Sequence, residues 1–113
     1  MKCKDETVPR YRVAALDEIP EGTLLQCTAA GRELVLCHHH GAFHVFQGNC
    51  PHQGAPLGQG NLVDGCIVCP WHGWEFGVSK GALDYNPAIA LRRYRVLVRD
   101  DSLWVDIDDE GVP

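Results

Sequence analysis

The chain holds 113 residues, 45% of them hydrophobic and 22% charged, the size and mix of one globular domain, which sets aside disorder, collagen and long coiled coil. Ten Lys and Arg against fifteen Asp and Glu give a net charge of -5; such a balance argues against nucleic acid and anionic membranes as partners and suits a basic protein. No apolar run approaches the roughly 20 residues that cross a bilayer, and the opening Met1-Lys2-Cys3-Lys4-Asp5-Glu6 lacks the apolar stretch of a secretory signal, so the expected compartment is the cytoplasm.

In chain order, the apolar residues recur with period two nearly throughout. Strands are expected over 10–14, 23–28, 33–38, 42–47, 67–69, 74–76, 91–99 and 103–107. Ala30-Gly31, His40-Gly41 and Asp100-Asp101 separate them as turns. Seven prolines and twelve glycines leave no helical window beyond about two turns, apart from a short turn at 16–19. The expected architecture is all-β, an antiparallel sandwich or partly open barrel filling one domain, 1–113.

One stretch departs from this pattern. Residues 48–81 hold eight of the twelve glycines and three of the seven prolines. Such backbone reads as weakly apolar and loop-rich, a small subdomain inserted in the barrel that a bound metal cluster would help to order. Within it, Cys50-Pro51-His52 and Cys69-Pro70-Trp71-His72 form two Cys/His pairs with sixteen residues between them. Residues i and i+2 of an extended segment share a face, so Cys50 and His52 are expected to look toward one centre across Pro51. Pro70 suits position i+1 of a β-turn that brings Cys69 and His72 together. Asp64-Gly65 is a hairpin signal that sets the two loops side by side, and Gly54 and Gly73 supply permissive backbone after each pair.

Cys-x-His, sixteen residues, Cys-x-x-His resembles the pattern of Rieske-type 2Fe-2S proteins, and the chain is similar to a small Rieske ferredoxin. Asn49-Cys50-Pro51-His52-Gln53-Gly54-Ala55-Pro56-Leu57 and Cys69-Pro70-Trp71-His72-Gly73-Trp74-Glu75-Phe76 resemble the family's loops almost residue for residue. Leu16-Asp17-Glu18-Ile19-Pro20-Glu21-Gly22 and Leu103-Trp104-Val105 extend the likeness to about residues 10–108. The resemblance implies the Rieske fold and one 2Fe-2S cluster, one iron held by the thiolates of Cys50 and Cys69 and the other by the imidazoles of His52 and His72. It also implies that Pro51, Gln53, Gly54, Trp71, Gly73 and Trp74 shape the loops and that Pro87, in Tyr85-Asn86-Pro87, belongs to a covering loop, with a plain turn as the equal alternative.

High-potential members of the family carry a disulfide between the loops and a Ser after the second pair. Here Ala55, Trp71 and Trp74 stand at those places. Fewer hydrogen bonds to the cluster sulfurs predict a midpoint at the low end of the Rieske range, about -150 mV. Members of that kind resemble the ferredoxins of multicomponent ring-hydroxylating oxygenases, which implies a monomeric one-electron carrier between a flavin-dependent reductase and a terminal oxygenase. It is expected to be no enzyme itself, since no place for a substrate pocket is evident.

The other sulfur and imidazole groups have plainer readings. Cys66-Ile67-Val68-Cys69 is formally a zinc-type Cys-x-x-Cys, and zinc on the four Cys/His ligands is the structural-module alternative. Cys66 is expected to pack as a small strand residue, Cys27 and Cys37 as core thiols, and Cys3 has no assigned role. His38-His39-His40 is expected to be a solvated turn in which His38 and His40 share a face. Trp71 and Trp74 are expected to shield the cluster, and 106–110 to form a solvated acidic end. A Rieske subunit bound permanently to a larger reductase remains the rival to a free carrier.

Overall fold

The computed structural model describes residues 9–51, 54–71, 73–78, 82–83 and 86–107. Among them are eleven strands: β1 (Arg10–Ala15), β2 (Leu24–Ala29), β3 (Arg32–His39), β4 (Ala42–Gln47), β5 (Asn61–Val63), β6 (Cys66–Val68), β7 (Glu75–Gly77), β8 (Ala82–Leu83), β9 (Asn86–Ala90), β10 (Arg93–Arg99) and β11 (Ser102–Asp106). A six-stranded antiparallel sheet runs β1-β11-β10-β4-β3-β2, and its outer strands β1 and β2 approach each other. The result is the partly open barrel that the alternation predicts. A second sheet of five short strands runs β5-β6-β7-β8-β9.

Four hairpins turn on two residues. Ala29 pairs with Arg32, His39 with Ala42, Val63 with Cys66 and Arg99 with Ser102. Both turn residues have positive φ in each case, Asp64 at 50° and Gly65 at 79° for example, the conformation whose twist matches the flanking strands. Fixing the turn at Asp64-Gly65 starts the small-sheet ladder at Val63 and Cys66. That moves β6 one residue earlier than the sequence pattern suggests and creates β5, which the pattern misses. Cys69 consequently lies beyond the ladder.

β3 explains how the two sheets share a core. Leu34, Val35, Leu36 and Cys37 are all buried. Leu34 and Leu36 join Val45, Tyr94, Leu103, Val105 and Ile107 inside the barrel, whereas Val35 and Cys37 join Phe46 in a second cluster with Ala55, Leu57, Ile67, Phe76 and Val78. The small sheet therefore covers the outer face of the barrel at β3 and β4. The 48–81 stretch is accordingly better packed than its glycine content suggests: five fully buried apolar residues, Ala55, Leu57, Ile67, Phe76 and Val78 (0 or 1% exposed), come from it. The same sheet continues past Gly81 through β8 and β9.

A glutamine fastens the first part of this layer to the barrel. Gln26 Nε2 donates to the Gly48 carbonyl (3.1 Å) and to Glu33 Oε1 (3.0 Å), and its Oε1 accepts from the Gly58 amide (2.7 Å). A methyl group at Gly48 or Gly58 would lie 2.7 or 2.5 Å from the Gln26 side chain. Close approach is thus why glycine stands at both places.

Three other readings are corrected. Asp106, placed by sequence in a solvated acidic end, is strand residue and accepts from Arg10 Nε at 2.7 Å, with buried Ile107 after it; 108–113 lie outside the described residues. Asn86 and Pro87 are not a plain turn but part of β9, at the edge of the small sheet, where proline costs no ladder bond, and Tyr85 lies outside the described residues. His38 is no solvated turn residue: its Nδ1 meets the Ile19 carbonyl at 2.7 Å and its ring stacks on Phe43 at 4.1 Å.

Candidate metal centre

Two turns of one design hold the cysteines. The Cys50 amide donates to the Ala55 carbonyl (2.8 Å), and the Gly54 amide donates back to the Cys50 carbonyl (2.7 Å). At the second site the Cys69 amide donates to the Trp74 carbonyl (2.8 Å), and the Gly73 amide to the Cys69 carbonyl (3.1 Å). Each is a five-residue turn closed i+4 to i. Gly54 (φ 81°) and Gly73 (φ 73°) sit in the left-handed region at the point of closure, where a side chain would be strained.

The expected approach of His52 to Cys50 and of His72 to Cys69 falls on residues outside the described ones; the closing bond of the second turn reaches Gly73, one residue beyond the span of a β-turn that starts at Cys69. The Trp74 carbonyl is engaged by Cys69, which is why β7 begins at Glu75 and not at 74.

Cys50 and Cys69 are each 2% exposed and belong to the same hydrophobic cluster. Neither is in a disulfide. His52, Gln53 and His72 lie outside the described residues, and among the described residues no group of three or more His, Cys, Asp and Glu is placed to hold a metal ion. The donor types nevertheless fit an iron-sulfur cluster: two buried thiols from facing loops, each with an imidazole two or three residues later in sequence. Low dielectric and exclusion of water around the sulfurs are conditions under which such clusters persist.

The two tryptophans part company. Trp74 packs against the hydrophobic cluster that contains both cysteines, with its ring 6.4 Å from that of Phe76. Trp71 is 56% exposed. Pro51 is also exposed, at the tip of the first turn. Among the remaining thiols, Cys37 is buried and burial pushes it up to about 12, an inert core thiol as expected. Burial, with the Glu33 charge second, also raises half-buried Cys27. Cys66 is half-buried in β6.

His39, His40, Ala42, His44, Asp64, Gly65 and Val78 line an open cleft of about 440 Å³ between the β3–β4 and β5–β6 hairpins. His39 and His40 stack at 3.9 Å, so the expected pairing of His38 with His40 on one face fails at the turn. Burial, the Arg93 guanidinium and His39 all hold His44 below its ordinary range. The Glu21 carboxylate accepts from the His40 amide (2.6 Å) and the Gly41 amide (3.0 Å), and lies 3.3 Å from His38 Nε2. Gln26, Gln47, Glu21 and Arg93 carry no local signature in the sequence, because each acts on backbone 15 or more residues away.

A model of the Rieske [2Fe-2S] domain matches residues 9–95. The chain is 38% identical over 77 residues to the ferredoxin component of the alkene monooxygenase system of Xanthobacter autotrophicus, covering 67% of this chain and 62% of that one. It is 31% identical over 94 residues to apoptosis-inducing factor 3 of Homo sapiens, covering 82% of this chain and 16% of that protein. It thus spans less than two thirds of both relatives. In structure it is similar to a chain in the complex of reduced oxygenase and oxidized ferredoxin of carbazole 1,9a-dioxygenase, with a TM-score of 0.79, 26% identity and coverage of 88% and 94%. No helix among the described residues is long and apolar enough to cross a membrane. Family model, relatives and fold agree with the paired cysteine turns: the chain belongs to the Rieske [2Fe-2S] domain family, which implies a 2Fe-2S cluster.

Proposed function

We propose that the chain is a one-electron carrier, a single Rieske domain whose cluster-binding subdomain, about 48–81, holds a 2Fe-2S cluster on Cys50, Cys69, His52 and His72. The observation that carries this is the pair of matching turns that bury both thiols in one hydrophobic cluster. A bound cluster supplies one reversible electron; the protein supplies ligands and surroundings. Thiolates from Cys50 and Cys69 hold the inner iron in a dry site. Neutral imidazoles from His52 and His72 add no charge to the outer iron, so reduction meets less repulsion than in an all-cysteine site. Ala55 has no thiol to bridge the loops, and Trp74 offers no hydroxyl to a sulfur, which supports a midpoint near the low end, about -150 mV.

The partners proposed are a flavin-dependent reductase and a terminal oxygenase, the carrier acting as a soluble monomer of the cytoplasm and not as an enzyme. The complex of oxygenase and ferredoxin among its structural neighbours supports the second partner. A second reading is a Rieske domain joined to a larger protein, favoured by the relative of which the matching stretch is only 16%. Anaerobic reconstitution followed by iron and sulfide analysis, EPR of the reduced state and a redox titration test the proposal. Two irons and two sulfides per chain with a Rieske signal are expected. A colourless zinc protein overturns the cluster reading, and a midpoint above about +100 mV overturns the low-potential reading alone. Replacing His52 by Cys should lower the midpoint by adding negative charge.

A further inference from the structure

Among the described residues, the small sheet covers the outer face of the large sheet at β3 and β4, while the outward arginines of β1 and β10 stay exposed. Register places the side chains of that outer face in rows: Arg10, Asp106 and Arg95; then Arg12, Trp104 and Leu97; then Ser102 and Arg99. The opposite faces of the same strands, Tyr11, Val13, Leu103, Val105, Tyr94 and Val96, point into the barrel core. Arg10, Arg12, Arg95 and Arg99 are exposed. Asp106 is the carboxylate within these rows, and Asp100 and Asp101 lie beyond Arg99 at the hairpin tip. Four guanidiniums thus share one face of a chain whose net charge is -5.

Trp104 sits in the middle of that face, partly buried, and its Nε1 is covered with no hydrogen-bond partner among the described residues. A buried donor left unused is uncommon and costs stability. Arginine around a partly buried tryptophan is also the make-up of binding hot spots. Arg93 closes the covered side of the face, stacking on Phe46 at 4.6 Å and donating to the Val78 carbonyl at 2.6 Å. Whatever occupies the face therefore abuts the small sheet.

We propose that this face is a docking surface for an acidic protein, with Trp104 at its centre and Arg12, Arg95 and Arg99 around it. A protein partner is favoured over a membrane or nucleic acid by charge. An extended polyanion meets the whole molecule at -5, whereas a protein can bring a small acidic patch to the arginines within a Debye length of about 10 Å. Leu97 beside Trp104 adds apolar surface that a carboxylate patch rimmed by apolar residues matches. The inference does not depend on electron transfer, so its test reads binding only.

The experiment titrates the ¹⁵N-labelled holoprotein with a short peptide of four glutamates flanked by leucines at low ionic strength and follows the Trp104 indole resonance. Saturable movement of that resonance is expected, with affinity falling at least tenfold in R95Q/R99Q and further in R95E/R99E, while melting temperature and visible spectrum stay unchanged. Polylysine should leave the resonance still. A Trp104 resonance that does not move, or binding unaltered in R95E/R99E, overturns the proposal. So does tighter arginine-dependent binding to phosphatidylserine vesicles or to duplex DNA, which reassigns the face to lipid or nucleic acid.

Discussion

The turns at Cys50 and Cys69 have the same closing hydrogen bonds and different supports. The second closes the β6–β7 hairpin: Val68 pairs with Glu75, and the turn continues that ladder. The first closes no named hairpin. Asn49 bridges to Pro56 and its side chain donates to the Gly54 carbonyl at 3.1 Å, while Gln26 ties Gly48 and Gly58 to the barrel. One turn is thus held by local strand pairing and the other by long-range side chains. Equal geometry at the two cysteines therefore has unequal sensitivity to substitution, local at one and distributed at the other.

The largest effect breaks both turns alike. Replacing Cys50 or Cys69 by Ser should reduce iron and acid-labile sulfide to background after reconstitution, because each thiolate is half of the protein's ligand supply to one iron. Gly60 separates the two next. A methyl there would overlap the Val68 carbonyl oxygen, with Pro70 also adjacent, so it strikes the strand leading into Cys69. Gly60→Ala should cost roughly 3 kcal/mol in a urea titration. Gln26→Ala acts on the first turn from across the core, leaving the Gly58 amide and one lone pair of the Gly48 carbonyl without their side-chain partner. About 2 kcal/mol is expected, with faster cluster loss under chelator than in Asn49→Ala, where one more exposed bond contributes under about 1 kcal/mol.

The same division separates what sequence reveals from what it hides. Strands of the barrel are legible because Leu34 to Cys37 and Tyr94 to Val98 write their faces in apolar residues, and the hairpins because Ala30-Gly31, His40-Gly41 and Asp64-Gly65 suit paired positive φ. The cysteine sites are legible from spacing. β8 and β9 are not, since Ala82–Leu83 is too short to show a period and Asn86-Pro87 reads as turn. The supports of the first turn are hidden for another reason: Gln26 lies 22 residues from Gly48 and 32 from Gly58, and nothing local in a strand glutamine distinguishes a clamp from a solvated side chain. The outward arginines are visible in sequence only as composition; register is what places four on one face.

Glu21 is the barrel's counterpart of Asn49, a side chain capping a turn, but its hold depends on pH. Bonds from the Gly41 and His40 amides keep its carboxyl below the ordinary carboxylate range. The folded value being the lower one, its contribution is present above the unfolded pKa of about 4.3 and is lost as pH falls through the folded value. His44 acts in the same direction in a higher window: burial first, then Arg93, depress it, so stability begins to fall as pH drops through about 6.5, where the unfolded histidine takes up its proton first. The two are separable by substitution. Glu21→Gln should flatten the stability-pH curve only in the carboxylate range, and His44→Gln only in the histidine range. Because the Glu21 carboxylate is exposed and screened, its effect is expected to be the smallest of the series, and added salt should leave it largely intact if the two amide hydrogen bonds, and not the His38 charge, are its main cause.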